Sequence, residues 1–195
     1  FLVMIIGFGC KAGMMPLQAW LPTAHPVAPA PASAVLSGII TKAGILGMIR
    51  VTFYLFNPDF LRGTWAQLTI IILALATVFV GSMLAYKEQL LKKRLAYSTV
   101  SQVSYVIFGI MILTPQGLSG ALLQVIFHAI AKNALFLAAG AIIYKTGAIY
   151  VKDLKGMGKK MPIVMWCFTI ASLSLIGIPP TGGFVSKWDL AVGAL

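Results

Sequence analysis

The stretch LLQVIFHAIAKNALFLAAGAII, residues 122–143, is apolar enough to cross a bilayer, yet it places His128 and Lys132 four residues apart near its middle. A membrane helix needs about 20 consecutive apolar residues. A charged lysine at its centre costs about 2.5–3.5 kcal/mol on insertion scales. Four residues is close to one helical turn, so both side chains leave the same face. A chain that keeps two basic groups there must give them polar partners or a path for water. That requirement constrains the fold more than any other feature of the sequence.

Composition agrees. With 59% hydrophobic and 10% charged residues, and a mean hydropathy of +0.95, too little polar surface remains to cover a water-soluble globule. The apolar runs are continuous, which excludes the short alternating segments of a membrane β-barrel. The fold class is all-α: a polytopic transmembrane bundle. A net charge of +11 would point to nucleic acid in a soluble protein, but here it concentrates in two short loops, as the positive-inside rule demands. Nucleic acid is not an expected partner. Cys10 and Cys167 sit alone in apolar runs and read as small buried residues. The chain opens inside an apolar run and closes on KWDLAVGAL, so residues 1–195 read as one partial membrane domain, truncated at both ends.

Along the chain, residues 1–10 end one helix. The next stretch, CKAGMMPLQAWLPTAHPVAPAPAS, is dense in helix breakers and reads as a discontinuous helix followed by a turn. Irregular backbone at membrane depth is tolerated only around protein or a water-lined cavity. Spans follow at about 32–56, 65–86, 96–113 and 118–144, and a last one begins near Pro162. That one is interrupted by GIPPTGGFVSKWD, 177–189, a second discontinuous helix. The span 96–113 is rich in Ser, Thr and Gln, so it is expected to face other helices and not lipid. The basic loops 87–94 and 145–160 lie two spans apart, so alternation puts both on one side, the cytoplasmic one. The localisation read from this is a multi-pass protein of the inner or plasma membrane.

Five basic side chains fall at breaks or at mid-span: Lys11, Lys42, His128, Lys132 and Lys187. Acids are nearly absent there. Amine and imidazole both trade protons with water and with neighbours, so a string of them supports a proton relay. His25 and Asp189 are accessory candidates. Arg50 and Lys145, near span ends, read as side chains that snorkel to the interface. The tryptophans read as interface anchors or packing. No CxxC, haem-attachment or nucleotide-binding motif occurs, so no cofactor, metal or hydrolytic site is expected.

The segments CKAGMMPLQAWLPTAHPVAPAPASAVLSGIITKAGILGMIR, HAIAKNALFLAAG and GIPPTGGFVSKW, in this order, resemble the antiporter-like subunits shared by respiratory complex I, Mrp-type cation/proton antiporters and membrane-bound hydrogenases. The wording looks nearest to the D-type members of the Mrp antiporters and to the hydrogenase members. The resemblance implies two inverted five-helix repeats, each with one discontinuous helix. It implies roles for Lys11 at the first break, Lys42 in the next helix, His128 and Lys132 as the link to the second half, and Lys187 at the second break. It places His25 near a cytoplasmic-facing turn. The family's glutamate partner of the first lysine lies upstream of this chain. The implied partners are other membrane subunits of an antiporter, hydrogenase or complex I-like assembly, the lipid bilayer, protons, and Na+ or K+. If the chain serves an enzyme, it is as the proton-pumping subunit of an NADH:quinone oxidoreductase-type translocase. Two competing readings are a secondary transporter of a small anion, and a structural membrane anchor whose buried charges pair with neighbours.

Overall fold

A computed structural model describes residues 1–195 as a bundle of helices. The main ones are α1 (Leu2–Ala12), α2 (Trp20–Val27), α3 (Ala30–Leu55), α4 (Trp65–Lys87), α5 (Leu91–Met111), α6 (Pro115–Thr146), α7 (Pro162–Ile176) and α8 (Gly182–Ala194). By length and composition α3, α4 and α6 are each able to cross a membrane. Their ends carry the expected local chemistry. The Thr114 hydroxyl accepts from Gly117 N–H at 3.1 Å and Pro115 occupies the first turn, opening α6. Gly13, Gly147 and Gly177 close α1, α6 and α7 in the left-handed conformation that glycine adopts without strain.

The most polar of the long helices is the central one. Thirteen of the 21 residues of α5 are buried, against four of 23 in the apolar α4. Lipid offers the hydroxyls and amides of a Ser/Thr/Gln-rich helix no hydrogen-bond partner, whereas neighbouring helices do; the apolar surface of α4 needs none. The two basic loops meet at one end of the bundle: Leu91 N–H donates to Ile149 O at 3.0 Å, and Val151 N–H to Gln89 O at 2.9 Å.

Three details depart from the sequence reading. α5 begins at Leu91, so Lys92, Lys93 and Arg94 open a helix instead of ending a loop. Arg94 reaches back to the Ala85 and Tyr86 carbonyls at 2.8 and 2.9 Å, capping the C-terminus of α4 where its dipole favours a cation. α6 runs further at both ends than its apolar core, because its caps lie outside that core. Cys167 is exposed and Cys10 half-buried; the face of α7 that carries Cys167 also presents Ile163, Trp166 and Ile170 outward.

α1 and α3 approach closely at Gly44. A Cβ there would lie 2.7 Å from Phe8 O and 2.8 Å from Ala12 N, so the helices would have to separate. Gly44→Ala is expected to destabilise by about 1–3 kcal/mol, read as a lower unfolding midpoint of the full-length protein in detergent. Gly7→Ala, whose Cβ would meet nothing within 4 Å, should leave the midpoint unchanged or raised.

Candidate functional site

A row of polar side chains runs down the buried face of α6. Gln124, His128 and Lys132 follow one another at four-residue spacing and are 2%, 1% and 0% exposed. Lys132 meets α5, His128 meets α3, and Gln124 meets both α5 and α8.

Lys132 is wholly enclosed by protein. Its ammonium donates to Leu95 O at 2.8 Å and to the Ser98 hydroxyl, both on α5. Neutral acceptors solvate the amine where lipid would leave it bare.

One turn earlier, His128 Nδ1 lies 2.9 Å from Lys42 Nζ on α3. Lys42 also donates to Ser37 O. That bond has a local cause. The residues Leu36–Ile40 form a π-helical turn, which widens α3 just ahead of Lys42 and frees a carbonyl from the regular ladder. The Ser37 hydroxyl meets Thr99 Oγ1 at 2.8 Å, tying this turn to α5. His128 Nε2 has no protein partner.

A turn further along, Gln124 joins α5 to α8. Its amide nitrogen donates to Gln102 Oε1 at 2.7 Å, and its carbonyl accepts from the Ser186 hydroxyl at 2.5 Å. Next to Ser186, Lys187 donates to Leu175 O at 2.6 Å and Ile176 O at 3.0 Å, carbonyls of the last turn of α7. Those carbonyls lack intrahelical partners and sit at the negative end of the helix dipole. Lys187 Nζ also lies 5.4 Å from the centroid of the Tyr105 ring.

The structure thus brings together Lys42, His128 and Lys132 and links them through Gln124 and Ser186 to the neighbourhood of Lys187. Lys11 stands apart: it is exposed, lining an open cavity of about 480 Å³ with Trp20, Leu36 and Ile40. Asp189 is half-buried and forms no ion pair with Lys187; its backbone packs against Gly120. The one ion pair of the molecule, Lys93 with Glu88 at 2.9 Å, lies at the basic end. His25 is buried, its ring stacked on Phe136.

Sequence reasoning missed Gln124, Gln102, Ser98, Ser186, Tyr105 and Ser37. Gln124 was detectable, four residues before His128 on the same face. The others lie on partner helices, and only packing selects them.

Nowhere do three His, Cys, Asp or Glu side chains gather, so the chemistry of the site rests on amines, imidazole, hydroxyls and amides. A lysine amine 2.9 Å from an imidazole nitrogen allows a proton to pass between them without large movement of either group.

Fold and site together define a helical membrane protein built around a buried basic line. The full length, residues 1–195, matches the family described as NADH:quinone oxidoreductase/Mrp antiporter, TM, and the chain belongs to that family. It is 38% identical to the N-type subunit of the NADH-quinone oxidoreductase of Desulforudis audaxviator, over 98% of this chain and 38% of that protein. It is 39% identical to hydrogenase-4 component B of Escherichia coli, over 96% of this chain and 30% of that one. It is 37% identical to the D-type subunit of the Na(+)/H(+) antiporter of Alkalihalophilus pseudofirmus, over 98% and 38% respectively. Among solved structures, that of the Mrp complex from Dietzia superposes with a TM-score of 0.92 at 33% identity, covering 97% of this chain and 35% of that one. The chain therefore spans about a third of the length of its relatives.

Gln124→Leu would strand the Gln102 carbonyl and weaken the hold on Ser186, at about 1–3 kcal/mol per unsatisfied group. Thermal unfolding in detergent should show that loss, and adding Gln102→Leu should recover part of it, because both partners are then apolar.

Proposed function

We propose that this chain is a proton-conducting segment of a multisubunit cation/proton antiporter or of a redox-driven pump. Protons pass along Lys11, Lys42, His128 with Lys132, and Lys187. The observation that carries the reading is the 2.9 Å contact between Lys42 on α3 and His128 on α6, with Lys132 one turn away on the same buried face. Two proton-exchanging groups from different helices meet there inside the bundle, with no carboxylate to hold the charge in place.

In this reading α1 with α2, and α7 with α8, are the two discontinuous membrane helices, their breaks marked by Lys11 and Lys187. The basic end, carrying residues 87–94 and 145–160, faces the cytoplasm. A charge on one lysine disfavours a charge on its neighbour, which couples successive proton positions and, through partner subunits, couples proton flow to a cation or a redox step. Lys11 takes its partner from outside these residues.

The competing readings fit less well. An anion transporter needs basic groups converging on one open site, whereas Lys132 and Lys187 are spent on backbone carbonyls of separate helices. A docking anchor needs charges presented outward, whereas Lys132 is fully enclosed.

The test uses the full-length protein in its native complex in everted vesicles, with proton flux followed by a pH-sensitive dye. Lys132→Ala should abolish flux driven by sodium or potassium pulses in an antiporter, or by a respiratory donor in a redox complex. An assembled Lys132→Ala complex with full flux under both conditions would sink the relay.

A further inference from the structure

One buried titratable group stands outside the line just described. His25 is 0% exposed, and neither ring nitrogen has a protein partner. Its ring lies flat on Phe136, 4.5 Å between centroids and 13° between planes. The stack holds the imidazole through its carbon face and leaves both nitrogens free. A neutral imidazole carries one donor and one acceptor, and buried polar atoms without protein partners take water.

Two lysines lie near this ring, one in the buried row and one at the basic end. Phe136 follows Lys132 by one turn on α6, so His25 sits beyond the end of the Gln124, His128 and Lys132 row. Lys92, at the start of α5, donates to Ala28 O at 2.9 Å, three residues after His25. Lys92 also lines an open cavity of about 470 Å³ with Ala30, Pro31, Gly140 and Tyr144, at the end of the bundle that carries the basic loops. Ser33 of α3 donates to His25 O at 3.1 Å, fixing the short α2 against α3. The charged groups that act on the ring are Lys132 from α6 and Lys92 from α5.

We propose that His25 is the proton-transfer group that joins Lys132 to the basic end of the bundle, exchanging protons with water in the cavity beside Lys92. The proposal deepens the relay reading and rests on it. A proton leaving the Lys132 amine is taken up, through water, by one ring nitrogen of His25. The N–H on the other ring nitrogen gives its proton to water on the cavity side. The ring is neutral before and after, and only its tautomer has changed.

The experiment again uses the full-length protein in its native complex, comparing flux in wild type, Lys132→Ala and His25→Asn. Asparagine keeps a buried donor and acceptor but carries no proton. His25→Asn, assembled normally on native gels, should conduct roughly tenfold or more slowly. A second measurement needs no variant: hydrogen–deuterium exchange at the ring carbon between the two nitrogens of His25, in the wild-type complex across the pH range in which it stays assembled. Exchange at that carbon shows that water reaches the ring, which supports the proposal and decides the matter if His25→Asn does not assemble. Flux in assembled His25→Asn within about twofold of wild type, with Lys132→Ala inactive, overturns the His25 step alone. So does a ring carbon that stays unexchanged at every pH. Normal flux in Lys132→Ala overturns the relay itself and the His25 step with it.

Discussion

An amine taken out of water must be solvated by something else, and the structure is arranged around that need. Lys132 has no access to solvent, so α5 supplies it with a backbone carbonyl and a hydroxyl. α5 is able to do so because it is both polar and central, with Thr99, Ser101 and Ser104 buried and Ser98 and Gln102 half-buried. The apolar helices then pack outside it, with α4 presenting most of its surface outward. The π-helical turn of α3 answers the same need for Lys42 by releasing the Ser37 carbonyl.

The same device appears twice in different settings. Arg94 closes the C-terminus of α4 at the basic end, and Lys187 closes the C-terminus of α7 inside the bundle. Both exploit unpaired last-turn carbonyls and the negative end of the helix dipole. The difference lies in the head group. Guanidinium keeps its proton and serves as a fixed cap, whereas an amine is able to give its proton up. Carbonyls and hydroxyls hold a cation without neutralising it, so a bond to them leaves the proton exchangeable where a carboxylate would trap it. A site built from such bonds suits transfer better than storage.

Much of this was legible from residues alone, and the limits are equally specific. The four-residue spacing of His128 and Lys132 announced a buried basic face, and the Ser/Thr/Gln content of α5 announced a helix that avoids lipid. Gln124 shared that spacing and was passed over because glutamine carries no charge to attract notice. Cys167 was misread because an apolar helix that faces outward has the same composition as one that faces a core. Lys11, alike in type to the other lysines, is the one left without company in this bundle.

By itself, the sequence determined that this is a helical membrane protein, roughly where its spans lie, and which side chains are too basic to be left in lipid. Those properties follow from the hydrophobic length needed to cross a bilayer and from the cost of a charge within it, both of which are local. Only the tertiary structure decided which basic groups meet, which carbonyls receive them, and that His25 stacks on Phe136 with both nitrogens free. Such contacts join residues that are far apart in the chain, Lys42 and His128 among them. Their distances depend on how the helices pack, which no local pattern encodes.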